Sequence, residues 1–444
     1  MSVMLSGWGR YPQHESRLIT AFSYGDVVAA LAREDSGLIA RGGGRAYGDA
    51  AIGCKATLFT TNLDHMRVFD PAAGRLTVES GVTLAEIVET FLPRGFFPPV
   101  VPGTKHVTVG GMIAADVHGK NHWKDGGFGR HIEALTLALP DGSIATCSLP
   151  ENADLFRATI GGMGLTGVIL DATFRLAAVE TAWIAQTTTV AQGIDEAVEA
   201  LSRAARSTYA VAWLDAASRK TFGRSLIFTA RHATKADLAI LNPSAPAFPP
   251  KGRGPLSMPF DWPTWPKRLP IRAFNELYFR RGAARAGTAF LVGFDRYFFP
   301  LDAMRHWNRM FARRGLIQHQ CVIPEGVARA VLPDILDRFR GVEAKPVMAV
   351  LKRLGEGAGT LSFPKPGYTL AVDIPMADGV LPLLDEIDGI VVKAGGRLYL
   401  AKDACQSRAT VEAGYEGLDA FRDIRRQIGA ERRLVSRLSS RLSL

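Results

Sequence analysis

The sequence predicts an α+β protein of two domains, and three observations carry that fold class. The chain has 444 residues, more than one ordinary hydrophobic core serves. Its 47% hydrophobic and 22% charged residues belong to a globular chain, not a disordered one. Strand-like runs alternate with amphipathic helical patterns, and the composition shifts after about residue 178.

In chain order, Val27, Val28, Leu31 and Ala32 recur at helical spacing. Residues 38–40 form a short apolar strand that runs into Gly42-Gly43-Gly44-Arg45 and then Tyr47-Gly48-Asp49. A strand ending in a glycine loop suits a phosphate cradle, because its exposed backbone N–H groups form an anion-binding concavity. No Gly-Lys-Ser/Thr follows and GxGxxG is not matched, so on these residues alone a structural loop weighs equally. Residues 57–82 read as strands and 84–95 as a helix, before Pro98, Pro99 and Pro102 turn the chain. The stretch 102–131 then gathers Gly103, Gly110, Gly111, Gly119, Gly126 and Gly127 around the apolar run 112–115. Such glycine density costs backbone entropy and belongs where backbone turns sharply or lies against a bulky ligand. Residues 132–148 read as two strands joined at Pro140-Asp141-Gly142. Within 153–176, Gly161-Gly162-Met163-Gly164 precedes a strand instead of following one, which excludes a Rossmann turn.

Beyond residue 178, residues 191–207 predict an amphipathic helix, and 209–216 and 224–232 predict strands. Nine prolines crowd residues 243–270, with Trp262 and Trp265, the pattern of a lid or a linker. Strands and helices resume over 288–375, and GGRLYLAKDA (395–404) reads as a strand ending in Lys402-Asp403. The tail from 407 is helical and basic, with Arg433, Arg437 and Arg441 at i, i+4 spacing beside Leu434, Leu438 and Leu442. Most such stripes pack against the parent domain, and a membrane-surface role is the weaker reading.

The net charge of +10 favours an anionic partner, either a phosphorylated substrate or an anionic membrane surface. The basic residues lack the aromatic interleaving of a nucleic-acid surface, so no nucleic acid is expected. Cys54, Cys147, Cys321 and Cys405 are scattered, which predicts no metal site and a reducing compartment. The start lacks a signal-peptide pattern, and no run of about eighteen apolar residues occurs. A cytoplasmic protein, or one peripheral at the inner membrane, is expected.

Three stretches taken together are more specific than any one: ARGGGRAYGD, then PGTKHVTVGGMIAADVHGKNH with FGRHI, then DLFRATIGGMGLTGVI. They resemble the FAD domain of the vanillyl-alcohol-oxidase-like flavoproteins. Within that group the chain is most similar to the oxidase subunits of decaprenylphosphoryl-β-D-ribose 2′-epimerases. The similarity continues through FFPLDAMRHWNRMFARRGLIQHQCVIP, LSFPKPGYTLAVDIP and GGRLYLAKDA, and is weakest across the Pro-rich segment.

The resemblance implies a two-subdomain FAD-binding domain at 1–178 and an α+β substrate-binding domain at 179–396. The latter would have a mixed or antiparallel sheet and the Pro-rich insertion 243–270, and residues 397–444 would return to the FAD domain. A first loop, Gly42, Gly43, Gly44, Arg45, Ala46, Tyr47, Gly48 and Asp49, would wrap the FAD pyrophosphate. A second would run along the cofactor through Gly103, Thr104, Thr108, Gly110, Gly111, Ala114, Asp116, His118, Gly119 and Asn121. Ile169 and Tyr399 would also touch it. Backbone N–H groups can neutralise phosphates without lysine, and none occurs at 42–49. Arg45 stands where some relatives carry a histidine that bonds FAD, so non-covalent FAD is implied.

The resemblance also implies a reaction: the 2′-hydroxyl of a polyprenylphosphoryl ribose is oxidised to a keto sugar, with hydride passing to flavin N5. That would be the first half of an epimerisation giving an arabinose donor, completed by a separate NAD(P)H-dependent keto-sugar reductase. Lys402, Tyr47 and His118 would be catalytic. Gln320, Lys352, Trp213 and Ala371 would bind substrate, with Ala371 and Thr369 standing where close relatives carry other side chains. His106, His122 and His131 are expected in supporting roles. The alternatives are an alditol or aldonolactone oxidase acting on a free polyol, and a flavin-binding subunit without turnover.

Overall fold

Alternation along the strands sorts the side chains of three main sheets to opposite faces. In the computed structural model, residues 2–218, 221–250, 254, 256–262, 268–311, 313–341 and 344–444 are described. Trp265 and part of the Pro-rich expectation lie outside them.

The first sheet has the order Ser2–Ser6, Gln13–Thr20, Ala56–Phe59, Leu38–Arg41. Its first pair is antiparallel and the other two are parallel. The helix Tyr24–Arg33 starts at Ser23, whose side chain accepts from the Asp26 N–H, and buries Val27, Ala30 and Leu31. The second sheet, antiparallel throughout, has the order Met66–Asp70, Arg75–Glu79, Val168–Arg175, Ile132–Ala138, Ile144–Ser148. Its inward residues, among them Leu76, Val78, Leu135 and Phe174, share one core with the helices Leu84–Phe91 and Val109–Ala114. A reciprocal Thr83–Glu86 capping box begins the former helix.

The third sheet has eight strands in the order Phe290–Gly293, Trp183–Ala191, Ser225–His232, Tyr209–Leu214, Met348–Leu354, Gly367–Pro375, Leu316–Pro324, Arg397–Leu398. Every pairing in it is antiparallel. On one face, residues such as Cys321, Leu351, Leu370 and Val372 pack against the helices Ile194–Arg203, Ala328–Gly341 and Val380–Lys393. The intervening residues of the same strands face the other way, toward the glycine loops.

Two expectations change. The strand expected over 395–404 is only Arg397–Leu398, and it joins the edge of the eight-stranded sheet, so Lys402 stands on a turn. The C-terminal arginine stripe is not one helical face either. Gly429, at φ +69°, and the cap at Ser436 divide the tail into Leu418–Gln427, Ala430–Arg433 and Arg437–Leu442. Leu434, Leu438 and Leu442 are buried. Arg433 donates to the carbonyls of Leu31 and Pro140, and Arg437 to those of Glu15 and Cys54. These arginines stitch the tail to the first sheet and its surroundings. Among the described residues no helix is long and apolar enough to cross a membrane.

Candidate active site

A cavity of about 1480 Å³ lies between the two glycine loops and the free face of the eight-stranded sheet. Ordinary small-molecule pockets span about 300–1,000 Å³, so this one has room for a large cofactor and a substrate together.

One wall is backbone. A Cβ on Gly42 would stand 2.1 Å from Thr108 Oγ1, and one on Gly43 would stand 2.9 Å from the His106 carbonyl oxygen. The two loops therefore close against each other only because these positions carry no side chain. Thr108 also caps the helix Val109–Ala114, accepting from the Gly111 N–H. Gly103 differs, since a Cβ there would meet nothing within 4 Å. It opens into the cavity.

The opposite wall is side chains, and strand register sets its rows. Gln318 lies opposite Asp373, Gln320 opposite Ala371, and Lys352 opposite Thr369. On the next strand, Trp213 lies opposite Val350. Gln320 Nε2 donates to Thr369 Oγ1 at 3.0 Å and lies 2.9 Å from His118 Nε2. An amide N–H can only donate, so His118 Nε2 accepts and its neutral ring carries the proton on Nδ1. That Nδ1 is buried without a partner among the described residues. Burial, then Lys352, His122 and Lys402, hold the His118 pKa well below its ordinary value.

Lysines crowd this space. Lys402 Nζ lies 3.8 Å from the centre of the Tyr47 ring. Burial pushes the Lys402 pKa down to about 7 and Lys352 adds to the fall, while Asp373 opposes it. Burial lowers Lys352 to about 8, and burial with Lys352 lowers Lys120 to about 7. Asp373 is raised to about 6 by burial, against the Gln318 hydrogen bond of 2.7 Å and the Lys402 charge. The Tyr47 hydroxyl is raised well above its usual range by burial and by Asp373, against Arg45.

Behind the site, Arg441 donates to Asp49 Oδ1 at 3.0 Å and to Asp403 Oδ2 at 2.9 Å. Tyr47 N–H donates to the Ala401 carbonyl at 2.9 Å. The first glycine loop, the Lys402 turn and the last helix are thus tied together.

Residue by residue, Gly42, Gly43, Gly44, Arg45, Ala46 and Tyr47 line the cavity, as do Gly103, Thr104, Thr108, Gly110, Gly111, Ala114, His118 and Gly119. So do Ile169, Trp213, Gln320, Lys352, Ala371, Tyr399 and Lys402. Four expected residues do not. Gly48 is pressed against the Asp403 carbonyl, where a Cβ would stand 1.8 Å away. Asp49 is turned to Arg441. Asp116 accepts from the Gly129 N–H at 2.9 Å and from the Ser362 hydroxyl at 2.5 Å. Asn121 donates to the Pro99 carbonyl and to Asp125. Their polar groups hold loops together, so they support the wall without forming it. His122 Nδ1 accepts from the Gly355 N–H and His131 Nε2 meets the Asp125 carbonyl, whereas His106 lines the cavity. The sequence reading missed Gln318, Asp373 and Lys120. The first two share the alternation of Gln320 and Ala371, and Lys120 directly follows Gly119.

Residues 20–148 match a family model described as an FAD binding domain. Decaprenylphosphoryl-β-D-ribose oxidase of Mycolicibacterium smegmatis is 33% identical over 454 residues, covering 99% of this chain and 97% of that one. The chain belongs to the decaprenylphosphoryl-β-D-ribose oxidase family. An uncharacterised protein of Streptomyces coelicolor is 36% identical over 82% of this chain and 100% of its own. L-gulonolactone oxidase of Mus musculus is 31% identical over 34% of this chain. This chain is an FAD-dependent oxidoreductase.

The cavity residues of this family member fit FAD on independent grounds. The glycine wall presents backbone, and Gly103 leaves open space beside it. Ser80 Oγ and His118 Nδ1, both at the cavity, are buried polar atoms without partners among the described residues.

Proposed function

We propose that this enzyme oxidises the 2′-hydroxyl of a polyprenylphosphoryl ribose to the 2′-keto sugar, opening a 2′-epimerisation. The observation that carries the proposal is one cavity with two chemistries. Lys120, Lys352 and Lys402 supply amino groups that can bind an anion or move a proton, while Val211, Trp213, Phe228 and Val350 supply an apolar wall. A sugar phosphate joined to a prenyl chain needs both. The name of the M. smegmatis relative supports the ribose and the decaprenyl phosphate.

We further propose a discontinuous FAD-binding domain of the vanillyl-alcohol-oxidase type, residues 1–178 with 397–444, around a substrate domain at 179–396. Support comes from the backbone bond of Val435 N–H to the Leu38 carbonyl and from the Arg441 pairs. FAD would be held non-covalently, because Arg45, stacked 4.1 Å over Trp8, cannot form a histidyl bond.

Bound FAD supplies the hydride acceptor. The protein orients the sugar and removes the hydroxyl proton. Lys402, with its lowered pKa, takes that proton as a neutral amine, and Asp373 beside it steadies the charge that results. Tyr47 packs its ring on the amine and fixes its direction. His118, held by Gln320, has its Nδ1–H free to donate to a sugar or cofactor oxygen. Lys352 and Lys120 hold the phosphate, and Trp213 the first prenyl units. Ala371 leaves space between Gln320 and Val350 that a larger residue would fill. A separate keto-sugar reductase would complete the epimerisation.

The test is anaerobic mixing of the yellow protein with polyprenylphosphoryl ribose while flavin absorbance is followed. Bleaching is expected. If free polyols or aldonolactones bleach it and the lipid-linked sugar does not, the substrate assignment is wrong.

A further inference from the structure

The helix Arg268–Ala283 buries a polar anchor and leaves large apolar side chains exposed. On its inward side, among Ile271, Phe279 and Gly282, Asn275, 2% exposed, donates to Asp215 Oδ1 at 2.9 Å, and at the flank Glu276 accepts from Arg224 at 2.7 Å. Arg224 also donates to Asp215 at 3.0 Å and lies 4.2 Å over the Phe279 ring. Its outward side carries Phe274, Leu277 and Tyr278 at i, i+3, i+4, with Phe274 62% and Leu277 49% exposed. A surface helix of a globular protein usually turns such large apolar residues to its core. Turning this helix over would strand the buried Arg224–Asp215 pair without Asn275 and Glu276, so the orientation is held in place.

This apolar face continues to the cavity. Phe274 and Tyr278 border it, and Tyr278 meets Trp213 edge to face at 5.0 Å. On the cavity rim, Leu256–Ser257 pairs with Met304–Arg305, and Leu256, Phe260 and Trp262 are exposed beside it. Arg272, Arg280, Arg281 and Arg285 are exposed on the helix and just beyond it. Against them the helix offers Glu276, whose carboxylate is already shared between Arg224 and Arg280.

Apolar side chains set among arginines fit the boundary between headgroups and acyl chains of an anionic bilayer. A second copy of this chain would bring arginines against arginines across a two-fold contact, which like-charge repulsion opposes. We propose that this face docks the enzyme on an anionic lipid surface, with Leu277 and Phe274 entering the apolar layer and the arginines meeting lipid phosphates. The inference deepens the lipid-linked substrate proposed above, because a prenyl chain leaving the cavity past Tyr278 would already lie in the bilayer.

The test uses full-length, FAD-loaded protein and sedimentation with vesicles of phosphatidylglycerol and phosphatidylcholine, or of phosphatidylcholine alone. Binding to the anionic vesicles that weakens with salt is expected, and none to the neutral ones. Leu277→Asp and Leu256→Asp should each lower the partition about tenfold or more, with flavin absorbance unchanged. Wild-type protein that ignores anionic vesicles, or Leu277→Asp protein that binds them normally, overturns the proposal. So does a dimer that Leu277→Asp converts to monomer, since the face would then join two copies. The substrate reading fails separately: vesicle binding with bleaching only by free polyols sinks that reading and leaves this surface standing.

Discussion

The two walls of the cavity are built from opposite materials. The glycine wall, residues 42–47 and 103–119, brings bare backbone to the cavity at Gly42, Gly43 and Gly103 between the side chains of Arg45, Tyr47 and His118. Behind it, the Asp49 carboxylate is engaged by Arg441 and that of Asp116 by Gly129 and Ser362. The sheet wall presents Gln318, Gln320, Lys352 and Ala371 from a rigid antiparallel frame. Backbone N–H groups suit a cofactor whose phosphates never change, whereas side chains with shifted pKa values suit protons that must move. The lysine turn lies where the walls meet, tied to the glycine loop by Arg441 and to the sheet by the Tyr399 N–H, which donates to the Gln320 carbonyl.

That division is easiest to break at Lys402. Lys402→Met should keep FAD bound, because the glycine wall is untouched, and lower the rate of flavin reduction by about 10²-fold or more. Stopped-flow absorbance reads both. Loss of FAD together with the rate would mean that the walls do not divide the work. Breaking the tie between them is the next largest effect. Arg441→Leu leaves Asp49 and Asp403 buried without their cation and should cost about 3 kcal/mol in chemical denaturation. An unchanged midpoint would show that the loop and the lysine turn stand without it.

The pH profile sharpens the proton assignment. With Lys402 lowered to about 7, the neutral amine grows as pH rises toward that value. Flavin reduction should climb about tenfold per pH unit below 7 and then level off. Lys402→Arg, charged at every accessible pH, should stay low and flat. A wild-type rate that falls as pH rises from 5 to about 7 contradicts a base at this position.

The same division explains what was legible in the sequence. Glycine density announced the backbone wall, because few other uses of the chain call for it, and the family motifs lay mostly there. The sheet wall was only half legible. Alternation along 316–324 and 367–375 shows that two faces exist, but register decides that Gln318 meets Asp373 and which face meets the cavity. Asp373 therefore went unnoticed beside Ala371. The helix Arg268–Ala283 was hidden for a different reason, since its one fully buried side chain among the described residues is the polar Asn275 while Phe274 and Leu277 stay exposed, so the apolar spacing gave no clear core-facing signal. The C-terminal arginines misled by spacing: i, i+4 held in the sequence, while Gly429 and Ser436 cut the helix beneath it.

The smallest effect compares two glycines. At Gly48 an added Cβ would stand 1.8 Å from the Asp403 carbonyl oxygen, a backbone atom that cannot step aside. Gly48→Ala should therefore lower the stability of the FAD-free protein by about 1–3 kcal/mol. At Gly103 the added Cβ meets no protein atom within 4 Å, so Gly103→Ala should leave the FAD-free protein as stable as wild type. Any effect there must come from what occupies the cavity. If FAD runs along this stretch, a methyl group in its path should weaken FAD binding several-fold, read by titration of the stripped protein. Equal FAD affinity in Gly103→Ala and wild type would move the cofactor away from residue 103, and the open space beside it would belong to substrate.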